Sequence, residues 1–495
     1  MELLKKLHEI RRRTGAAQTP GLEDKVIEEF LRTDRQLALA IGGAYTEFLK
    51  IEERYGDKLK LSEQELIKDV QSEFVNFYED DALNPYVSLF AQGPWLVTVH
   101  GAVLHDSGGY GMLGFGHSPE KVIDAMAFPH VMANVMTANF SQKRLTDALH
   151  REIGHARPQK KPPYQRFLCL NSGSESVTVA ARIADLQAKT LTDPGARFHG
   201  RKISFISLKG SFHGRTERPA QASDSSAKNY QKLATFREQR LVTVEPNNVA
   251  DLRQAFADAE KNGYFFEMML MEPVMGEGNP GVSITRAFYD EARKLTREHG
   301  ALLLIDSIQA GLRAQGSLSI CDYPGFETCE PPDMETFSKA VNAGQYPLSI
   351  LALNQAAIDI YVRGIYGNTM TSNPRALDVA CAVLEMVTPE LRQNIRDRGA
   401  ELLQKFKKLQ TEFPGIVTDA TGTGLLCALH LKPEGYKVVG KKGVETWLRM
   451  QGIGVIHGGK NALRFTPHFR ISSQEIDLII DKIRAALRQG PIYNA

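Results

Sequence analysis

The stretch from about residue 165 to residue 355 most narrows what this chain can fold into. Short, largely apolar runs recur there: Phe167–Leu170, Ile203–Leu208, Met268–Met271, Leu302–Ile305 and Leu348–Leu353. Each is too short for an independent helix, and each is followed by a polar loop, several of them rich in Gly. Helical stretches such as Ser174–Lys189 and Ile284–His299 separate several of the runs. Strands that are apolar on both faces and alternate with helices predict an α/β fold with a mostly parallel sheet covered on both sides. In such sheets ligands bind outside the carboxyl ends of the strands. The residues just after each run are therefore where chemistry is expected.

The flanks read differently. Residues 1–92 are expected to be a helical N-terminal segment, with amphipathic spacing in Asp24–Leu31 and Leu61–Phe77. That segment packs on the body or, alternatively, serves as an arm that docks a partner. The main α/β domain is expected over 93–385. A smaller α/β domain over 386–495 would carry strands at Leu425–Leu431 and Leu463–Thr466.

Composition excludes several classes. The 495 residues are 42% hydrophobic and 24% charged, which rules out wholesale disorder. Sixty basic residues balance 58 acidic ones, so nucleic-acid binding through bulk charge is not expected. No apolar run reaches the ~18 residues of a membrane span. The opening MELLKKLHEIRRR lacks a long apolar core and holds Glu2 and Glu9, unlike a secretory signal or a transit peptide. Five cysteines without a CxxC pair suggest neither a disulfide framework nor a metal site, and a cytoplasmic location is expected.

The strand-end residues form a consistent set. Asn171-Ser172-Gly173-Ser174-Glu175 joins the first run to a helix, and a strand, small-residue turn and helix N-terminus make an anion cradle. An ordinary Ser N-cap is the plainer alternative. Phe212, in Ser211-Phe212-His213-Gly214-Arg215-Thr216, offers a stacking plate or a core residue. Arg215 is suited to gripping a carboxylate bidentately, or is simply solvated. Glu272-Pro273-Val274-Met275-Gly276-Glu277-Gly278 places two carboxylates in a Gly-rich loop. Asp306 ends a buried run, where a carboxylate is costly unless it meets a partner or caps a helix. Lys339 ends a modest β-like run, and a lysine in a dry cleft can become a Schiff-base former. Cradle, plate, carboxylate and amine together are what pyridoxal phosphate requires: a phosphate site, a stacking face, an anion for the pyridine nitrogen and a partner for the aldehyde.

At these residues the sequence resembles the class III pyridoxal-phosphate aminotransferases, the family of ornithine, acetylornithine and 4-aminobutyrate aminotransferases. The resemblance runs from about Gly93 to Ile476. It includes Asp106-Ser107-Gly108-Gly109, Gly114-Phe115-Gly116-His117-Ser118-Pro119, Asn171–Glu175, Phe212–Thr216, Glu272–Gly278, Pro332–Ala340, Tyr366-Gly367-Asn368-Thr369 with Asn373-Pro374, and Arg464-Phe465 with Pro467. It implies the type I aspartate-aminotransferase fold, with a large and a small domain. It implies that Lys339 binds the cofactor and shuttles the proton, Asp306 pairs with the pyridine nitrogen, Gln309 reaches the phenolic oxygen and Phe212 stacks on the ring. Gly173 and Ser174 would hold the phosphate, joined by Thr369 of a second chain in a homodimer. Arg215 and Arg464 would bind carboxylates, with Glu277 as the gate that pairs with Arg464. The implied reaction is transamination from an amine or amino-acid donor to an oxo-acid such as 2-oxoglutarate. Racemisation or epimerisation, an aminomutase shift, decarboxylation and a non-catalytic scaffold on the same fold are the alternatives. The family usually has Asp-Glu where this chain has Asp306-Ser307, so a charge beside the ring is expected to be missing. Thr371-Ser372 likewise stands where Gly-Gly is usual.

Overall fold

The computed structural model describes residues 2–489 apart from Tyr110, Ala133, Gln239 and Lys441; the last residues of the expected C-terminal domain, 490–495, lie outside the described residues. By contacts the chain forms two units. One comprises residues 1–120, 397–421 and 427–495, and the other residues 121–396 and 422–426.

The second unit is built on a seven-stranded sheet. Its strands run, in spatial order, Arg166–Leu170, Ser349–Leu353, Met334–Phe337, Leu302–Asp306, Tyr264–Met271, Lys202–Leu208 and Leu241–Val244. Five of these pair in parallel, with register marked by Phe205 opposite Leu241, Met268 opposite Leu302 and Asp306 opposite Thr336. Ser349–Leu353 is antiparallel to both of its neighbours, with Ile350 opposite Phe337 and Cys169. A parallel return needs a crossover of a dozen or more residues. The chain after Phe337 instead makes a one-turn helix, Lys339–Asn342, and reverses at Ala343 and Gly344, both in the left-handed region (φ 50° and 71°).

Strand alternation divides the core. Met268, Leu270, Leu302 and Leu304 join Val177, Ala180, Ile183 and Ala184 of the helix Gly173–Thr192. Met269, Met271, Leu303 and Ile305 point the other way, toward Phe288, Tyr289, Ala292 and Leu295 of the helix Arg286–His299. The apolar runs are thus continuous because both faces are covered.

The first unit contains the helices Glu2–Arg13, Asp24–Leu31, Arg35–Tyr55 and Glu63–Gln71. The last is shorter than the amphipathic pattern over 61–77 predicts; it starts at a Ser62 capping box. Ile10, Phe48, Leu59, Leu66 and Val99 form a shared cluster, so these helices pack as part of this unit. It also holds one four-stranded sheet and all but the strand-end residues 422, 423 and 426 of a second. One pairs Ser88–Gln92, Trp95–Thr98, Val103–Asp106 and Ile453–Gly454 in that order, and the other joins Val417–Thr423, Leu426–Leu431, Ala462–Phe465 and Ile456–Gly458. Here His105 Nε2 and His468 Nε2 both meet Glu475 Oε1, at 3.0 and 2.7 Å, while Ser472 N and Oγ donate to the other oxygen. No helix of the described residues is long and apolar enough to cross a membrane.

Candidate active site

Four loops converge at the carboxyl ends of the parallel strands. The first begins the helix Gly173–Thr192. Ser172 has an extended backbone and its Oγ accepts from Glu175 N at 3.3 Å, so the first turn leaves its remaining N–H groups outward. A side chain at position 173 would put Cβ 2.5 Å from Ile308 Cδ1, so the Ile308 side chain would have to shift to admit one. Ser174 Oγ accepts from Arg215 N at 3.2 Å. That contact brings the second loop against the first, and Gly214 permits it: at φ 125° a Cβ there would overlap Ser174 Oγ and lie 2.9 Å from Ser174 Cβ.

In the second loop Phe212 is half-buried, and the exposed Arg215 places its guanidinium 5.3 Å from the Phe212 ring centroid. His213 is buried, and its Nδ1 lies 2.8 Å from Asp306 Oδ2. Asp306 ends its strand with its other oxygen, Oδ1, accepting from Ile308 N at 3.1 Å. The strand-end carboxylate therefore has the polar partners its burial demands.

The third loop is organised by Glu272. Its carboxylate accepts from Phe212 N at 3.0 Å and Gly276 N at 2.8 Å, so it ties the stacking loop to the Gly-rich loop. Burial pushes Glu272 up to about 7; His213 opposes the shift and the Asp306 charge adds to it. Gln309 is buried against Gly276, where a Cβ would sit 2.7 Å from Gln309 Cδ. Glu277, the residue immediately after Gly276 in the same loop, is half-buried. The fourth connection begins at Ser338, and Lys339, also half-buried, opens the one-turn helix two residues after the strand that pairs with the Asp306 strand.

Thr369 lies exposed in a turn whose neighbour Asn368 bonds to this chain's own Asn171 side chain at 3.2 Å and to Glu175. Tyr366 OH also donates to Glu175. The turn is thus anchored beside the loop of Gly173 and Ser174. Arg464 belongs to the other unit, where it is buried on the strand Ala462–Phe465 opposite Ala428 and Ile456.

This donor set fits pyridoxal phosphate. The cradle of residues 172–174 and 214–215 is crowded enough at Gly214 to exclude a Cβ there, and the buried carboxylate has a histidine against it. The half-buried amine follows the adjacent strand. His213 and Glu272 were within the motifs but had no role in the sequence reading. Their partners lie 93 and 60 residues away, a pairing that periodicity does not report.

Comparison with known proteins decides the family. Residues 79–487 match the family described as aminotransferase class-III. The chain belongs to the class-III aminotransferases. It is 29% identical over 324 residues to the acetylornithine aminotransferase of Thermosynechococcus vestitus, covering 65% of this chain and 74% of that one. It is 25% identical over 403 residues to the ornithine aminotransferase of Staphylococcus carnosus, covering 81% and 93%. The crystal structure of the ornithine aminotransferase from Toxoplasma gondii superposes with a TM-score of 0.73 over 88% of this chain and 98% of that one, at 23% identity. The fold is that of the type I pyridoxal-phosphate enzymes. As a class-III aminotransferase the chain is an enzyme that uses pyridoxal phosphate for transamination.

Proposed function

We propose that this aminotransferase moves an amino group from a primary amine or amino-acid donor to an oxo-acid, 2-oxoglutarate being the acceptor in view. The observation that carries the reading is the pair of adjacent strand ends: Lys339 follows one, and Asp306, with His213 at 2.8 Å, closes the other. Bound pyridoxal phosphate supplies an aldehyde that condenses with amines and a protonated ring that draws electrons from the donor's Cα.

In this reading Asp306 holds the proton on the pyridine nitrogen, and His213 orients that carboxylate. Gln309 donates to the phenolic oxygen. Phe212 packs on one ring face. Gly173 N–H and Ser174 Oγ–H hold the phosphate. Lys339 Nζ would anchor the cofactor and, when free, would hold and move the proton of the donor's Cα. Arg215 binds a carboxylate of donor or acceptor; the carboxylate role of Arg464 and the gating role of Glu277 rest on the family resemblance alone.

Two copies make the complete site, Thr369 adding to the phosphate contacts of the second chain. Support for that comes from the exposed apolar segment Phe128, Val131, Met132, Val135, Met136 and Phe140. Met132 Sδ lies 3.9 Å from Asn373 Nδ2, beside the turn of Thr369. The division into an N-terminal segment (1–92), a cofactor domain (93–385) and a small domain (386–495), and a cytoplasmic location, belong to the same proposal.

Borohydride reduction of the holoenzyme followed by digestion tests the assignment. A cofactor-labelled peptide containing Lys339 is expected, with turnover of Lys339→Ala at background. Label on another peptide, or none, refutes it.

A further inference from the structure

Ser307, where the family's acidic side chain is missing, is hydrogen-bonded to an acidic side chain from the neighbouring strand. Its Oγ donates to Glu335 Oε1 at 2.6 Å. Glu335 is fully buried on the strand Met334–Phe337, in register with Ile305 of the Asp306 strand. Ile320 N donates to the same oxygen at 2.9 Å, while Ser319 Oγ and Tyr164 OH donate to Oε2 at 2.5 and 2.7 Å. Among the described residues no ion pair involves Glu335. The titratable groups Tyr289, Tyr323 and Cys321 that face it are held neutral: burial pushes Tyr289 and Tyr323 up, and contact with Cys329 together with burial does the same for Cys321.

A buried carboxylate without a cation is costly, and only a full set of donors offsets it. An apolar residue would fill the same space beside Ile320, Cys321 and Tyr323 without that cost. What the carboxylate adds is connection. It joins the segment at Tyr164, the turn at Ser307 and the bend at Ser319–Ile320 to a strand that ends at the lysine loop. Ser307 N also donates to Thr336 O at 3.0 Å, and Gly311 N to Ser307 O at 2.9 Å. The turn between Asp306 and Gln309 is therefore clamped at both its backbone and its one side-chain hydroxyl.

We infer that Glu335 is a positioning residue of the cofactor site: through Ser307 its carboxylate fixes Asp306 and Gln309 relative to Lys339. This rests on the proposed roles of those three residues.

The test is a double-mutant cycle of Ser307→Ala and Glu335→Gln in the holoenzyme. It reads the pH midpoint of the bound cofactor's absorbance change, the cofactor dissociation constant and the thermal midpoint. Ser307→Ala removes a single hydroxyl and so guards against a Glu335 variant that fails to fold. Each single variant is expected to move the absorbance midpoint by about half a pH unit or more and to weaken cofactor binding about tenfold, the scale of one charge-assisted hydrogen bond. The double variant is expected to be no worse than Glu335→Gln, because both remove the same link. Thermal midpoints that fall while absorbance midpoint and dissociation constant stay at wild-type values overturn the inference and leave Glu335 a core group. Lys339→Ala run alongside separates the two layers. If it loses the absorbance band while the Glu335 and Ser307 variants match wild type, only the positioning role fails; if it keeps the band, the site assignment fails.

Discussion

Gly214→Ala probes the proposed phosphate cradle where two loops meet. Gly214 has φ 125°, a region that disfavours any residue with a Cβ. The new methyl group would overlap Ser174 Oγ, lie 2.9 Å from Ser174 Cβ and stand 3.1 Å from Pro219 Cβ. Two costs follow. Backbone strain is about 1–3 kcal/mol and is present with or without cofactor, so it appears in stability. Displacing Ser174 removes its acceptance from Arg215 N at 3.2 Å, about 1 kcal/mol, and turns the hydroxyl away from the phosphate. A lost hydrogen bond to a charged phosphate is worth about 1.5–3 kcal/mol, roughly ten- to hundredfold in affinity. The assay titrates apoprotein with pyridoxal phosphate and, separately, with pyridoxal, which lacks the phosphate. The phosphorylated cofactor should bind roughly ten- to hundredfold more weakly, and pyridoxal within about twofold of wild type. An equal loss for both ligands would refute the cradle, since the defect would then lie in the ring site or in the fold. An unchanged affinity for pyridoxal phosphate would refute it as well.

Two further outcomes follow from buried charges. Glu272 binds its proton more tightly folded, up to about 7, than at its ordinary value of 4.5, so the folded state holds more protons between those limits. Stability of the apoprotein should therefore fall as pH rises through that window, by on the order of 3 kcal/mol at most, and Glu272→Gln should flatten the dependence. Urea midpoints of both proteins at pH 5 and pH 8 check this; parallel pH dependence in the two proteins contradicts it. Arg293 makes a bidentate pair with Asp333 at 2.7 and 2.9 Å, both buried, and Asp333 also accepts from Leu303 N at 2.8 Å. Arg293→Met leaves that carboxylate without its cation and should cost about 3–5 kcal/mol in denaturant unfolding, with Arg293→Met/Asp333→Asn recovering part of it. A loss under about 1 kcal/mol would show that Asp333 is satisfied by its amide donors alone.

Local pattern made much of this protein legible. The runs at Phe167–Leu170, Ile203–Leu208, Met268–Met271 and Leu302–Ile305 fall inside observed strands because covering both faces of a sheet leaves continuous apolar residues. The placement of Asp306 at a strand end and of Lys339 just beyond one was legible because strand ends are local features, and a carboxylate or lysine after an apolar run is conspicuous in one dimension. The shorter helix Glu63–Gln71 departs from a pattern over 61–77 because spacing reports which residues agree with a helix, not where capping stops it. The reversal of Ser349–Leu353 depended on left-handed backbone at Ala343 and Gly344, which the runs themselves do not encode.

The partners of the buried polar groups were settled only in three dimensions. His213 meets Asp306, Glu272 holds Phe212 and Gly276, and Glu335 gathers Tyr164, Ser307, Ser319 and Ile320. Residue types along the chain announce that such groups exist and that burial obliges them to find donors or acceptors. Which ones they find depends on strand order and register, and these bring together loops tens to hundreds of residues apart. Hydrophobic periodicity is a property of neighbours in the chain, whereas hydrogen bonding and charge are properties of neighbours in space.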